Sequence, residues 1–201
     1  AAIWVLLLPF FVVLALLAPD VIALLYGRAW SDAAPVLALL FLAMPAFVTW
    51  GMSTPVLWNT GRARQEVLLQ LPLLPIAALA FYAFARDSVL AAAAVAGLVL
   101  IARGAVMAVA ASRILRVPAT AWLGWLVRGI ALSVLLGGLV ALLVHLLPAG
   151  LPALARLLLP GVAALAVAGA VVALAPGLLG RDAMQLLLRF APGLNRWLDR
   201  R

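Results

Sequence analysis

Residues 33–61 read AAPVLALLFLAMPAFVTWGMSTPVLWNTG, a run bounded by Asp32 and Arg62 that holds no charged side chain. A bilayer's hydrocarbon is about 30 Å thick and a helix rises about 1.5 Å per residue, so about 20 mostly apolar residues cross it. This run is long enough. Five further stretches follow the same pattern: Ile3 to Leu25, the interval between Glu66 and Arg86, the segment after Asp87-Ser88 to about Ala111, one beginning near Trp122 to Arg128 and ending near Leu147, and Leu154 to Ala175. The expected fold class is therefore an all-α membrane protein of about six transmembrane helices. Residues 1–178 form the helix bundle and residues 179–201 a basic tail.

Composition excludes the common alternatives. Hydrophobic residues make up 69% of the 201 and charged residues 10%, with a mean hydropathy of +1.27; ordinary soluble domains are roughly 45–50% apolar and 25% charged. No cysteine is present, which removes disulfides and thiolate chemistry, and His145 is the only histidine. The net charge of +8 comes from fourteen arginines scattered between apolar runs. That pattern suits membrane topology rather than nucleic acid. The chain opens Ala1-Ala2-Ile3, without an initiator methionine or a basic region before the first apolar run, so it does not read as a signal peptide. A segment from within a longer protein is expected.

The span boundaries carry helix-end chemistry. Ser31 is placed to cap the second span, with Asp32 at the positive end of the dipole and Pro35 in the first turn. Asp87-Ser88 repeats the arrangement before the fourth span. Trp4, Trp30, Trp58, Trp122 and Trp125 fall near span ends, where indole rings favour the headgroup layer. The stretch from Ser112 to Arg128 reads as an interfacial turn, and the residues from Arg181 onward as an amphipathic helix on the inner leaflet, broken at Pro192-Gly193.

Arginine counts orient the spans. With six crossings, Arg62, Arg64, Arg113, Arg116, Arg128, Arg181, Arg189, Arg196, Arg200 and Arg201 fall on one side, and Arg28, Arg86 and Arg156 on the other. Positive charge is retained in the cytoplasm, so both ends are expected there.

Within the spans, Pro35, Pro45, Pro55, Pro72 and Pro75 remove backbone hydrogen bonds, and interior prolines mark bending points or cavity walls. Proline is also simply commoner in membrane helices. Arg103 is the sharpest feature, because a mid-span arginine costs at least about 2.5–3.5 kcal/mol. Three readings stand open: snorkelling to the cytoplasmic headgroups, facing a cavity, or a structural pair. In a cavity its planar fork would suit a phosphate or pyrophosphate. Gln70 is a lone amide expected to bond across helices. Ala93 with Gly97, then Gly104, Ala108 and Ser112, and Gly161 with Gly169 read as close-packing positions. His145 reads as an interfacial residue rather than a proton relay. No carboxylate pair, zinc spacing, glycine-rich phosphate loop or nucleophile elbow is present; no enzymatic activity and no cofactor are expected.

The segment Leu17-Ala18-Pro19-Asp20-Val21-Ile22-Ala23-Leu24-Leu25-Tyr26-Gly27-Arg28-Ala29-Trp30, followed by Ala33-Ala34-Pro35-Val36-Leu37, resembles a signature of bacterial polysaccharide flippases of the multidrug/oligosaccharidyl-lipid/polysaccharide exporter superfamily. A second element, Leu57-Trp58-Asn59-Thr60-Gly61-Arg62, looks like the family's cytoplasmic Gly-Arg turn. The resemblance covers about Pro9 to Ala111. It implies that the six spans are helices nine to fourteen of a two-lobed transporter bundle, partnered by N-terminal helices that this sequence does not contain. It further implies that the protein flips an undecaprenyl-pyrophosphate-linked oligosaccharide across the bacterial inner membrane by alternating access. On that reading Arg103 and Gln70 are candidate substrate-binding residues, and Gly27, Trp30, Pro45, Pro55, Gly61, Arg62 and Pro72 candidate gating or loop positions. Arg103 is a candidate by position and does not match a family motif. Two alternatives remain: another branch of the superfamily, exporting peptidoglycan precursors or drugs, and a membrane subunit of a glycan-assembly enzyme.

Overall fold

The computed structural model describes residues 3–86, 88–148 and 150–174. Asp87 and the whole basic tail expected over 179–201 lie outside these residues. The described chain is a multi-pass helical membrane protein: α1 Trp4–Leu16, α2 Ala18–Leu25, a 3₁₀ segment Arg28–Ala33, α3 Ala34–Asn59, α4 Ala63–Gln70, α5 Leu73–Phe84, α6 Val89–Ile114, α7 Ala119–Leu146 and α8 Ala153–Leu174, with no strand among the described residues. Five helical stretches are long and apolar enough to cross a membrane, and six if α1 and α2 count as one broken span.

Several span boundaries differ from the sequence reading. The first span is not one helix: it breaks at Leu17, and Pro19 occupies the first turn of α2, where its missing N–H is harmless and its fixed φ is already helical. Ser31 and Asp32 lie in the 3₁₀ segment rather than at a helix start, and α3 begins at Ala34 with no side-chain cap. Pro35 does stand in the first turn of α3, as expected. The expected interfacial turn over Ser112–Arg128 shrinks to residues 115–118. Arg113 lies in the last turn of α6, while Trp122, Trp125 and Arg128 lie on α7. Before α6, Ser88 caps as expected, its hydroxyl oxygen accepting from the Ala91 N–H at 3.4 Å.

Both charged turns end a helix in the same way. At the end of α3, the Arg62 N–H reaches the Leu57 carbonyl at 2.8 Å and the Gly61 N–H reaches that of Trp58 at 3.0 Å, with Gly61 at φ 71°. This is a Schellman motif, which satisfies carbonyls that the helix end would otherwise strand. At the end of α6, the Val117 N–H bonds Ser112 at 2.9 Å and the Arg116 N–H bonds Arg113 at 3.4 Å. Here the left-handed position is held by Arg116, at φ 54°.

The chain divides into two compact units, residues 1–16 with 122–201, and residues 17–121. In the first, α7 lies against α1 along Gly129, Ser133 and Gly137, all buried. A Cβ on Gly129 would stand 3.2 Å from the Trp4 carbonyl oxygen, and one on Gly137 would stand 3.0 Å from Val12 Cγ1. Val5 and Leu132 form a small core against which Val171 and Val172 of α8 pack. In the second unit, α3 and α6 pack along their length. Gly97 faces Ala43, and Gly104 lies so close to Ala46 that a Cβ would collide with its carbonyl oxygen; farther along, Leu57, Met107, Ala110 and Ala111 close the interface. Without a hydrophobic drive between helices in lipid, such backbone approach is what holds them together. A Cβ on Gly161 or Gly169, also expected at close contacts, would meet nothing within 4 Å among the described residues. No residue of α4 or α5 is fully buried.

Replacing Gly104 by alanine overpacks the α3–α6 contact and is expected to lower stability by about 1–3 kcal/mol. The same change at Gly161 should leave stability within about 0.5 kcal/mol. Unfolding of the two variants in detergent, followed by circular dichroism, makes the comparison.

Candidate functional site: a donor cluster between three helices

The approach at Gly104 places its neighbour, Arg103, against α3 and α4. The Arg103 Nε donates to Gln70 Oε1 at 2.6 Å, and its guanidinium carbon lies 3.9 Å from the centre of the Trp50 ring. The two candidate substrate-binding residues are thus brought together, one from α6 and one from α4, with an α3 tryptophan that the sequence reading passed over. Because α6 extends to Ile114 rather than Ala111, Arg103 stands close to the helix midpoint and not near its C-terminal end. Its Cα is about 16 Å from the C-terminal end at 1.5 Å per residue. Of the three readings for this arginine, the contacts realise the structural pair, and they leave most of its fork unused.

What remains around the pair is mostly donors. The Gln70 oxygen is occupied by Arg103, and the amide nitrogen of Gln70 and the indole nitrogen of Trp50 are both buried with no hydrogen-bond partner. The terminal nitrogens of Arg103 have no partner among the described residues. A buried donor left unmade costs about 1–3 kcal/mol. Trp4 Nε1 is likewise buried and unpartnered, but it stands alone, whereas Trp50, Gln70 and Arg103 form one cluster. A set of neutral and cationic donors around one amide oxygen that is already bonded is chemically complementary to an anion or to another acceptor-rich group.

One helical turn away lies a second polar group. Glu66, four residues before Gln70 on α4, accepts from Thr54 Oγ1 at 2.8 Å and from Trp58 Nε1 at 2.6 Å. Trp50, Thr54 and Trp58 follow one another at intervals of four on α3, so they share one face of the helix. The helices therefore meet in two rungs, Trp50–Arg103–Gln70 and Thr54–Glu66–Trp58. Spacing in four was the available signal: Trp50, Thr54 and Trp58 facing Glu66 and Gln70 is a matched polar register across a tight turn.

Pro72, two residues beyond Gln70, interrupts the third span as expected, separating α4 from α5. The carbonyl of Leu71, deprived of an N–H at Pro75, accepts from Leu74 at 3.2 Å instead. Pro45 and Pro55 are contained within the continuous α3. Nearby hydroxyls bond back into the helix: Thr49 Oγ1 donates to the Pro45 carbonyl at 2.8 Å and Ser53 Oγ to that of Thr49 at 2.7 Å.

The remaining candidates are turn builders. Gly27, at φ 85°, opens the 3₁₀ segment, its carbonyl accepting from the Trp30 N–H at 3.2 Å. It lines a pocket of about 290 Å³ with Pro19, Ala23, Arg28, Ser31 and Ala34. Trp30 is exposed, with its ring 6.2 Å from that of Tyr26. Gly61 and Arg62 form the capping turn already described. His145 is exposed and lines a cavity of about 440 Å³ beside Arg156. None of these residues belongs to the Arg103 cluster, and no group of three or more histidine, aspartate or glutamate side chains that could hold a metal occurs among the described residues.

The chain matches no family model, no curated protein and no solved structure.

If Arg103 and Gln70 act as one unit, their removal is non-additive. A double-mutant cycle with Arg103→Leu and Gln70→Leu is expected to give a coupling of about 1–2 kcal/mol in unfolding free energy. Additivity within about 0.3 kcal/mol would mean that the bond carries no weight.

Proposed function

We propose that this chain is part of a transporter that moves a lipid-linked oligosaccharide across the bacterial cytoplasmic membrane, with both ends of the chain on the cytoplasmic side. The observation that carries the reading is the donor-rich cluster of Arg103, near the midpoint of α6, with Trp50 of α3 and Gln70 at the end of α4. A permanent cation and two orphaned donors are costly in such surroundings unless an acceptor visits them. A pyrophosphate linking lipid to sugar is such a visitor: its oxygens match the guanidinium fork, and its hydrophobic tail favours the bilayer. The resemblance around Tyr26-Gly27 and Gly61-Arg62 supports the same reading, as does the arginine bias. Pro72, next to the cluster, supplies a break at which α5 could move relative to α4. That is the kind of interrupted helix from which alternating-access sites are built.

In cells deleted for the gene, lipid-linked repeat units should accumulate and surface polysaccharide should fall. Restoring the gene with Arg103→Leu should leave transport below about a tenth of wild type. Arg103→Lys should recover only part of it, because an ammonium keeps the charge but loses the fork. Full transport by both variants, or normal polysaccharide in the deletion strain, overturns the proposal.

A further inference from the structure

The end of the α3–α6 pair beyond the Arg103 cluster carries charge that the transport reading does not use. Contacts between the two helices advance in the same direction along both, from Gly97 against Ala43 to Gly104 against Ala46, so α3 and α6 run parallel and finish at one face of the unit. There Ile114 of α6 and Leu69 of α4 pack against the core that Leu57 of α3 shares with Met107, Ala110 and Ala111. This packing gathers three segments: the turn after α3 with Arg62, the first turn of α4 with Arg64, and the end of α6 with Arg113 and Arg116. All four arginines are exposed, and their side chains have no hydrogen-bond or ion-pair partner among the described residues. Glu66, the acidic residue of α4, is already engaged by Thr54 and Trp58.

Two of these cations stand where their own backbone disfavours them. Arg64 is in the first turn of α4, at the positive end of the helix dipole. Arg116 holds a left-handed φ of 54°, a position that the matching turn after α3 gives to Gly61. Local helix energetics therefore do not account for the charges. Their surroundings are those of a membrane surface. Trp58, in the last turn of α3, is 63% exposed, as suits an indole at the headgroup layer, and Val67, Leu68 and Leu115 are exposed beside the arginines. Guanidinium forks next to exposed apolar side chains match a phosphodiester joined to acyl chains, and the excess of positive charge favours a lipid whose net charge is negative.

We propose that Arg62, Arg64, Arg113 and Arg116 form a docking site for anionic phospholipid headgroups, which enriches acidic lipid where α3, α4 and α6 meet. The site is separate from the Arg103 cluster and does not depend on what the chain transports.

The test uses the full chain reconstituted in phosphatidylcholine bilayers, with brominated phosphatidylglycerol and brominated phosphatidylcholine compared as quenchers of tryptophan fluorescence. Trp58 is the reporter beside the site. Wild type should favour the anionic lipid about tenfold, which corresponds to about 1.4 kcal/mol, and the preference should shrink as salt rises from about 0.1 M to about 1 M. Arg116→Gly suits the left-handed backbone and so keeps the fold; it should lower the preference about twofold, and adding Arg62→Gln and Arg113→Gln should bring it close to one. Arg86→Gln is the control, since that guanidinium already lies 3.5 Å from the centre of the Tyr82 ring, and it should change nothing. A wild-type ratio near one overturns the proposal, as does a ratio that the triple variant leaves intact. A fall of the same size in Arg86→Gln also overturns it, because net charge alone would then explain the preference. Loss of the preference on adding inorganic phosphate at constant ionic strength overturns it too, the arginines then serving a soluble anion and not a lipid.

Discussion

At Gly104 the backbone of α6 lies against the Ala46 carbonyl of α3 with no room for a side chain between them. The polar part of the structure depends on this contact. Trp50 is one turn beyond Ala46, and Arg103 is the residue before Gly104. The same approach that packs the helices therefore sets the guanidinium over the indole face and within reach of Gln70. A bulkier residue at Gly104 would push α6 outward and leave the arginine to find other partners. In a lipid environment, where apolar faces gain little by meeting each other, a glycine contact of this kind is worth more than its small area suggests.

The second constraint is that polar groups inside the helices must be provided for locally. Most are: Thr49, Ser53 and Ser133 each return their hydroxyl to the carbonyl four residues back, Leu71 exchanges its lost partner for Leu74, and two Schellman turns gather the carbonyls at the ends of α3 and α6. Against that background the unmatched donors of Trp50 and Gln70 are departures from the rule. Unsatisfied polar groups in otherwise consistent structures concentrate where function demands them.

Much of the fold was legible in the sequence, because length and apolar composition alone define membrane spans. Ser88 and Pro35 were legible as helix-start residues, and Pro72 as an interruption, since each acts through its own backbone. The break at Leu17 was not: residues 3–25 are apolar throughout but for Asp20, and hydropathy does not distinguish one bent span from two helices. Ser31 misled because a good capping residue was available one 3₁₀ segment too early. Of the site, Arg103 and Gln70 stood out as polar residues in apolar runs. Their mutual contact did not, since it joins residues 33 positions apart through a close approach that only the folded backbone reveals. Trp50 was hidden for the opposite reason, being one tryptophan among seven. The Gly129–Ser133–Gly137 seam, small residues at intervals of four, was not among the close-packing positions read from the sequence, whereas Gly161 and Gly169, which were, meet nothing within 4 Å among the described residues.

Arg116 occupies a left-handed position that glycine fills at the corresponding turn after α3, and a side chain there costs roughly 1–2 kcal/mol of backbone strain. The chain therefore carries a cation where backbone geometry alone would select against one. Insertion machinery reads positive charge near span ends while the protein is still being threaded into the membrane, well before the α6 turn has closed. The strain is borne by the finished protein, whereas any effect of the charge on how the spans are oriented acts while they are being inserted. A search for the most stable residue at the turn after α6 would choose glycine, and would remove the charge together with the strain.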